Sequence, residues 1–221
     1  MMLFTAKTID LYESQPIANG TVRSVFDFPG QPNLLIKVFT RSQDRVSHRL
    51  GKRLVWRLFP EAQYRSTLKE LECELRVSLK LGVDIERSPL SRMLGVVQTT
   101  RGAGVVVERI AGLDGGLAPK LSEVSRGGLD ATALEALNVF VGQMFDLHIV
   151  ARDIKRSNIV FGTRGAGPAC FLIDGYGERN LIPLRSLSRR LNDRSLNKQF
   201  ALIAQKAGLT WNADKRNFSN S

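Results

Sequence analysis

The run Arg152-Asp153-Ile154-Lys155-Arg156-Ser157-Asn158 sets a carboxylate five residues ahead of a carboxamide, and Ile173-Asp174-Gly175 follows a short glycine-rich stretch. That spacing suits phosphoryl transfer. One carboxylate must orient an attacking hydroxyl and accept its proton, while a second carboxylate and an amide oxygen hold Mg²⁺ on nucleotide phosphates. Asp153 fits the first role, and Asp174 with Asn158 fits the second. Lys155, two residues after the base, is within reach of a transferring phosphate. Upstream, Leu35-Ile36-Lys37-Val38 puts an ammonium into an apolar strand, where it needs a carboxylate or phosphate because burying it bare is costly. Glu74 is the expected partner, with Glu70 one turn earlier as the alternative. The competing reading makes Asp153 and Asp174 turn-capping aspartates, and Lys37 with Glu74 an ordinary strand-to-helix ion pair.

These residues need particular elements to hold them. The stretches 21–28 and 33–40 flank Pro29-Gly30 and predict a hairpin carrying Lys37. Leu68, Leu71, Leu75 and Leu79 recur at three- and four-residue spacing and predict a helix over 66–81, closed at Gly82. Two more strands are expected at 93–99 and 105–110. Asp130 caps an expected helix running to about His148, with Leu134, Leu137, Val141, Met144 and Phe145 inward. Strands at 158–162 and 169–174 bracket the second motif, and the tail from Arg185 reads as one or two helices ending at Gly208. The expected architecture is α+β, with an N-terminal lobe over 1–111, including an insertion at 41–65, and a C-terminal lobe over 112–221.

Together the motifs resemble the protein-kinase fold over about residues 16–180. Lys37 matches the strand lysine, Glu74 the helix glutamate, Arg152-Asp153 the catalytic-loop pair, and Asn158 and Asp174 the metal ligands. Val105 to Ile110 resembles the strand entering the hinge, which implies that the backbones of Glu108 and Ile110 meet adenine. A closer resemblance is to the bacterial YrbL family, described as kinase-like and named for the PhoP regulatory network. It is carried by Pro16 to Gly20, Ile36-Lys37, Glu70 to Gly82, Lys155 to Ile159, Asp174 to Glu178 and Leu181 to Leu184. The resemblance implies a two-lobed fold, a bacterial cytosolic setting, and ATP and Mg²⁺ as cofactors. There are departures. Of the glycines that cover phosphates, only Gly20 is present, and Arg23 is the candidate replacement contact. Asp174-Gly175-Tyr176 stands where D-F-G is usual. With 47 residues after Asp174, a minimal C-lobe without a peptide-holding platform is expected. The acceptor is then expected to be a hydroxyl outside standard peptides. The alternative is a nucleotide-binding regulatory pseudokinase.

Composition narrows the rest. The 221 residues are 43% hydrophobic and 24% charged, a globular balance. Two cysteines and two histidines leave no disulfide framework and too few ligands for structural zinc. The net charge of +11 calls for an anionic partner. Residues 41–57 hold six Lys and Arg against Asp44 alone, with arginines four apart at Arg45, Arg49, Arg53 and Arg57. That stretch is a candidate contact for an anionic membrane surface or a phosphorylated ligand. Its competing reading is a solvated helix face. Nucleic acid is not expected, since aromatics are 7% and no nucleic-acid motif is present. No signal segment or membrane span is visible, so a cytoplasmic chain is expected, with peripheral attachment at the inner membrane as the extension of the basic-stretch reading.

Overall fold

The computed structural model describes residues 8–20, 23–39, 64–178 and 183–220. The basic stretch 41–57 and its arginine ladder lie outside the described residues. The architecture is α+β, and its elements run in the order strands, a helix, a strand pair, a helix and a hairpin. The chain forms two compact units: the described residues of Met1–Tyr64 with Arg92–Arg109, and Arg65–Ser91 with Ile110–Ser221. The helix 66–81, which the sequence reading assigned to the lobe 1–111, therefore groups with the second unit.

The first unit is a five-stranded antiparallel sheet. Its strands are β1 (Ala18–Asn19), β2 (Arg23–Phe28), β3 (Gln31–Phe39), β4 (Met93–Thr99) and β5 (Gly102–Glu108), in the order β1-β2-β3-β5-β4. The Pro29-Gly30 turn joins β2 to β3, with Gly30 at φ +74°, where a side chain is disfavoured. Period-two alternation sorts β3 onto two faces. Ile36 and Val38 pack with Leu11 and Phe26, whereas Leu35 packs with Val105 and Val107. Lys37 lies opposite Val25 and Val105, half-buried on the Leu35 face.

The second unit begins with α1 (Arg65–Leu81), continued by a 3₁₀ turn, Gly82–Arg87. It goes on with the single turn α2 (Leu121–Val124), α3 (Ala131–Asp146), the hairpin β6 (Ile159–Thr163) and β7 (Pro168–Leu172), α4 (Leu184–Leu187), α5 (Arg189–Ala207), and a second hairpin, β8 (Leu209–Asn212) with β9 (Asn217–Asn220). Asp130 caps α3 by accepting the Ala133 N–H at 2.7 Å, and Gly208 ends α5 in the left-handed conformation at φ +68°. The core is aromatic where α3, α5 and the last hairpin meet. Phe200 lies 5.3 to 6.4 Å, centroid to centroid, from Phe140, Phe145, Trp211 and Phe218.

The leucine periodicity of α1 marks a helix but not its buried face. Leu68, Leu71, Leu75 and Leu79 are exposed. The inward residues are Thr67, Glu70, Cys73, Glu74 and Val77. The strand expected at 105–110 is β5, which begins three residues and ends two residues earlier, and the β8–β9 hairpin is not expected from the sequence.

Candidate active site

Two glycines build the centre of the second unit. Gly175 and Gly177 have φ of +86° and +90°, a region that side chains rarely adopt. A Cβ on Gly175 would lie 2.8 Å from the Asp153 carbonyl oxygen, and one on Gly177 would enter the Lys69 carbonyl of α1. The chain after Asp174 can therefore zigzag close to both the Asp153 loop and α1. In this course the Gly175 carbonyl accepts from the Arg152 N–H at 3.0 Å and the Asp153 N–H at 3.3 Å, and the Gly177 N–H donates to the Val150 carbonyl at 2.8 Å. The Asp153 loop and the Asp174 segment are thereby laced together.

The side chains complete the arrangement. Asn158 Nδ2 donates to the Asp153 carbonyl at 3.0 Å, which commits the amide nitrogen and makes its oxygen the end a cation would use. Asp174 Oδ1 accepts the Gly175 N–H at 2.7 Å. Lys155 Nζ pairs with Asp153 Oδ2 at 2.8 Å, both groups being partly exposed at 61% and 46%. The expected base and the expected phosphate contact thus touch each other. Among the described residues no group of three or more His, Cys, Asp or Glu could hold a metal. A set of one carboxylate and one carboxamide fits Mg²⁺, which keeps water and substrate phosphate oxygens for most of its shell.

Tyr176 takes the place of the usual phenylalanine. It is buried, bridges to Ala151, and donates its hydroxyl to the Ser91 carbonyl at 3.0 Å. Burial pushes its phenol well above the ordinary value, and the nearby Glu74 and Glu70 carboxylates add to the shift. Glu70 and Glu74 are both buried, at 1% and 7% exposure, so the two candidate partners for Lys37 remain on equal footing.

The remaining expected site residues belong to the first unit or to its border. The Gly20 N–H donates to the Arg23 carbonyl at 2.8 Å. The Arg23 guanidinium lies 5.1 Å from the Phe39 ring centroid and is buried. The Glu108 N–H donates to the Arg92 carbonyl at 3.0 Å, and its carboxylate takes the Arg92 Nε at 3.0 Å. The Ile110 carbonyl accepts from the Ala118 N–H at 3.1 Å. The adenine-facing backbone groups expected at Glu108 and Ile110 are thus partly used within their own units.

Several residues that sequence reasoning missed hold the loop. Gln199 on α5 grips both sides of Asp153, accepting the Ile154 N–H at 2.8 Å and donating to the Ala151 carbonyl at 3.0 Å. Asn192, one heptad earlier and fully buried, donates to the Ile149 carbonyl at 3.1 Å. The available signal was an asparagine in phase with the apolar residues Leu196, Phe200 and Ile203. Arg185 pairs with the buried Glu178 at 2.9 Å and also reaches the Ala151 carbonyl at 3.2 Å. Cys73 and Cys170 are buried, and burial pushes their thiols up to about 11 and about 12, so neither is a nucleophile. His148 sits at φ +52° between α3 and the loop, with Nε2 3.2 Å from the Ser186 carbonyl.

The family described as "PhoP regulatory network protein YrbL" matches residues 9–208. No curated protein matches the chain. Among solved structures, the bifunctional kinase-methyltransferase WbdD is similar at 14% identity and a TM-score of 0.44, over 83% of this chain. The chain spans 34% of the length of that structure. No helix among the described residues is long and apolar enough to cross a membrane.

Proposed function

The chain belongs to the YrbL family of PhoP regulatory network proteins, and from its site chemistry we propose that it is an ATP- and Mg²⁺-dependent phosphotransferase acting on a hydroxyl acceptor. The observation that carries this reading is the lacing of the Asp153 loop to the Asp174 segment through Gly175, with the Asn158 amide bonded to the same loop. Two carboxylates and a carboxamide thus come from two short segments, and these are the groups that a base and a metal site for phosphoryl transfer would use. Asp153 would accept the proton of the acceptor hydroxyl. Lys155, alongside it, would neutralise charge on the transferring group once it exchanges Asp153 for phosphate. Asn158 and Asp174 would hold Mg²⁺, which supplies charge neutralisation on the phosphates. Lys37, held by Glu74 or Glu70, would bind the phosphates of the nucleotide.

The acceptor reading follows from the segment after Asp174. Glu178 is already tied to Arg185, and α4 begins at Leu184, ten residues beyond Asp174. A span this short leaves little chain for a peptide platform, which favours a compact hydroxyl acceptor. A second reading, a nucleotide-binding regulator without turnover, is supported by the glycine-poor stretch around Gly20 and by Arg23 stacked on Phe39.

The test combines binding and turnover. The wild-type chain should rise in Tm with ATP plus Mg²⁺ and transfer γ-phosphate in an extract screen. Asp153→Asn should slow that transfer by about 10²- to 10⁴-fold while keeping the Tm rise. Asp174→Asn should instead abolish the Mg²⁺-dependent part of the rise. A metal-independent rise without transfer would select the regulator reading, and equal mild effects of both substitutions would remove the assigned roles.

A further inference from the structure

A concavity of about 510 Å³ lies within the second unit, on the flank of α1 and away from the Asp153 and Asn158 side chains. Its walls come from α1, from Leu147 to Val150 ahead of the catalytic loop, and from Gly177, Glu178 and Pro183 to Leu187 beyond the Asp174 segment. The lips are apolar and open to solvent. Leu79 is 85% exposed and Leu187 78%, while Val77 and Cys73 line the floor. Large aliphatic side chains left this exposed on both sides of one concavity mark an interaction surface.

Cations outnumber carboxylates around these lips. Lys69, Arg76 and Lys80 line the concavity, and Arg189 lies close enough to oppose the charge of Lys80. Lys80 donates to the Leu147 carbonyl and Arg189 to the Asp146 carbonyl, so both are fixed at the carboxyl end of α3. Of the carboxylates present, Glu178 is committed to Arg185, and Glu72 is shared between Lys69 and Arg76. Partial burial and the neighbouring cations Arg189 and Arg76 hold the Lys80 ammonium below its usual range. An incoming carboxylate would relieve that crowding. A second copy of this chain, also at +11, brings the wrong sign.

We propose that this groove is a docking site for an acidic peptide segment that inserts apolar side chains between Leu79 and Leu187 and sets carboxylates against Lys69, Arg76, Lys80 and Arg189. Its walls are the elements that carry Glu74, lead into Asp153 and follow Asp174. An occupant therefore holds α1 against the catalytic loop. That regulatory consequence rests on the phosphotransfer reading above, whereas the docking does not.

The experiment uses the full chain and a fluorescein-labelled 14-residue peptide of Glu, Ala and Leu, with leucines at helical i, i+3, i+4 and i+7 spacing. Anisotropy at low salt should show saturable binding that weakens at least tenfold in high salt. Leu79→Ser with Leu187→Ser, both surface changes that leave Tm unaltered, should weaken binding at least tenfold, and Lys80→Glu with Arg189→Glu should weaken it further. Absence of saturable binding overturns the proposal. So does binding unchanged by the double serine variant, which would place the peptide on another basic region, and so does equal binding of polyglutamate, which would reduce the interaction to charge. A concentration-dependent dimer lost in the Leu187→Ser chain would assign the groove to a second copy instead. Peptide binding retained by Asp153→Asn separates this test from that of the catalytic reading.

Discussion

At Gly177 the main chain stands at φ +90°, and a methyl group there would collide with the Lys69 carbonyl, a backbone atom of a helix that cannot step aside. Gly30 has a similar φ of +74° with nothing within 4 Å of a Cβ. The two positions separate conformational strain from close approach. Gly30→Ala should cost about 1 to 2 kcal/mol, the penalty for a left-handed residue. Gly177→Ala should cost about 3 kcal/mol, because overpacking adds to the same penalty. Denaturant unfolding of both variants measures the difference. Equal losses would mean that α1 does not rest on the Asp174 segment as described.

Helix α1 shows how an element's role can run against its pattern. Its leucines follow the helical repeat, yet it turns Glu70 and Glu74 inward towards Tyr176 and leaves Leu68, Leu71, Leu75 and Leu79 outside. An inward carboxylate is costly unless it is paired or hydrogen-bonded, so polar interactions as well as apolar packing hold this face of α1. The segment beyond Asp174 depends on a similar commitment. Glu178 has a side chain only 4% exposed, and Arg185 meets it through both its backbone N–H at 3.1 Å and its guanidinium at 2.9 Å. Arg185→Ala would remove the guanidinium but keep the backbone N–H, leaving the buried carboxylate without its opposite charge, and should cost about 3 kcal/mol. Arg185→Lys should recover only part of that, since an ammonium cannot also reach the Ala151 carbonyl from one fork. Loss below 1 kcal/mol by thermal denaturation would show that the pair does not anchor this segment.

For the molecule as a whole, three buried acids set an alkaline limit. Burial pushes Cys73 up to about 11, Cys170 up to about 12, and Tyr176 well above its usual value. Above about pH 9 the unfolded chain releases thiol protons that the folded chain retains, so the unfolded state binds fewer protons and stability falls as pH rises. Each such group contributes about 1.4 kcal/mol per pH unit between its unfolded and folded values. The Tm should therefore decline from about pH 9 upward, with added salt changing the slope little because buried groups are poorly screened. Cys73→Ala with Cys170→Ala should flatten the decline between pH 9 and 10, where tyrosine contributes little. An unchanged slope in that variant would exclude the thiols as its source.

What short-range order dictates was legible in the residues themselves. The Arg152 to Asn158 run, Asp174-Gly175 after its hairpin, Lys37 in a strand, the Asp130 cap and the Gly208 stop each follow from neighbours a few positions apart, where side-chain type and backbone preference decide the outcome. The α+β class and the element order follow from the same local signals. Tertiary structure decided what local pattern cannot reach. Periodicity gives the phase of α1 but not which side is covered, because that depends on what the rest of the chain packs against each face. The grip of Gln199 on the Asp153 loop spans 45 residues, and no spacing rule connects them. The β8–β9 hairpin closes because Phe218 and Trp211 find Phe200, a contact made by packing rather than by strand propensity. The exposed lip at Leu79 likewise exists only once α1 has turned Glu70, Cys73, Glu74 and Val77 inward.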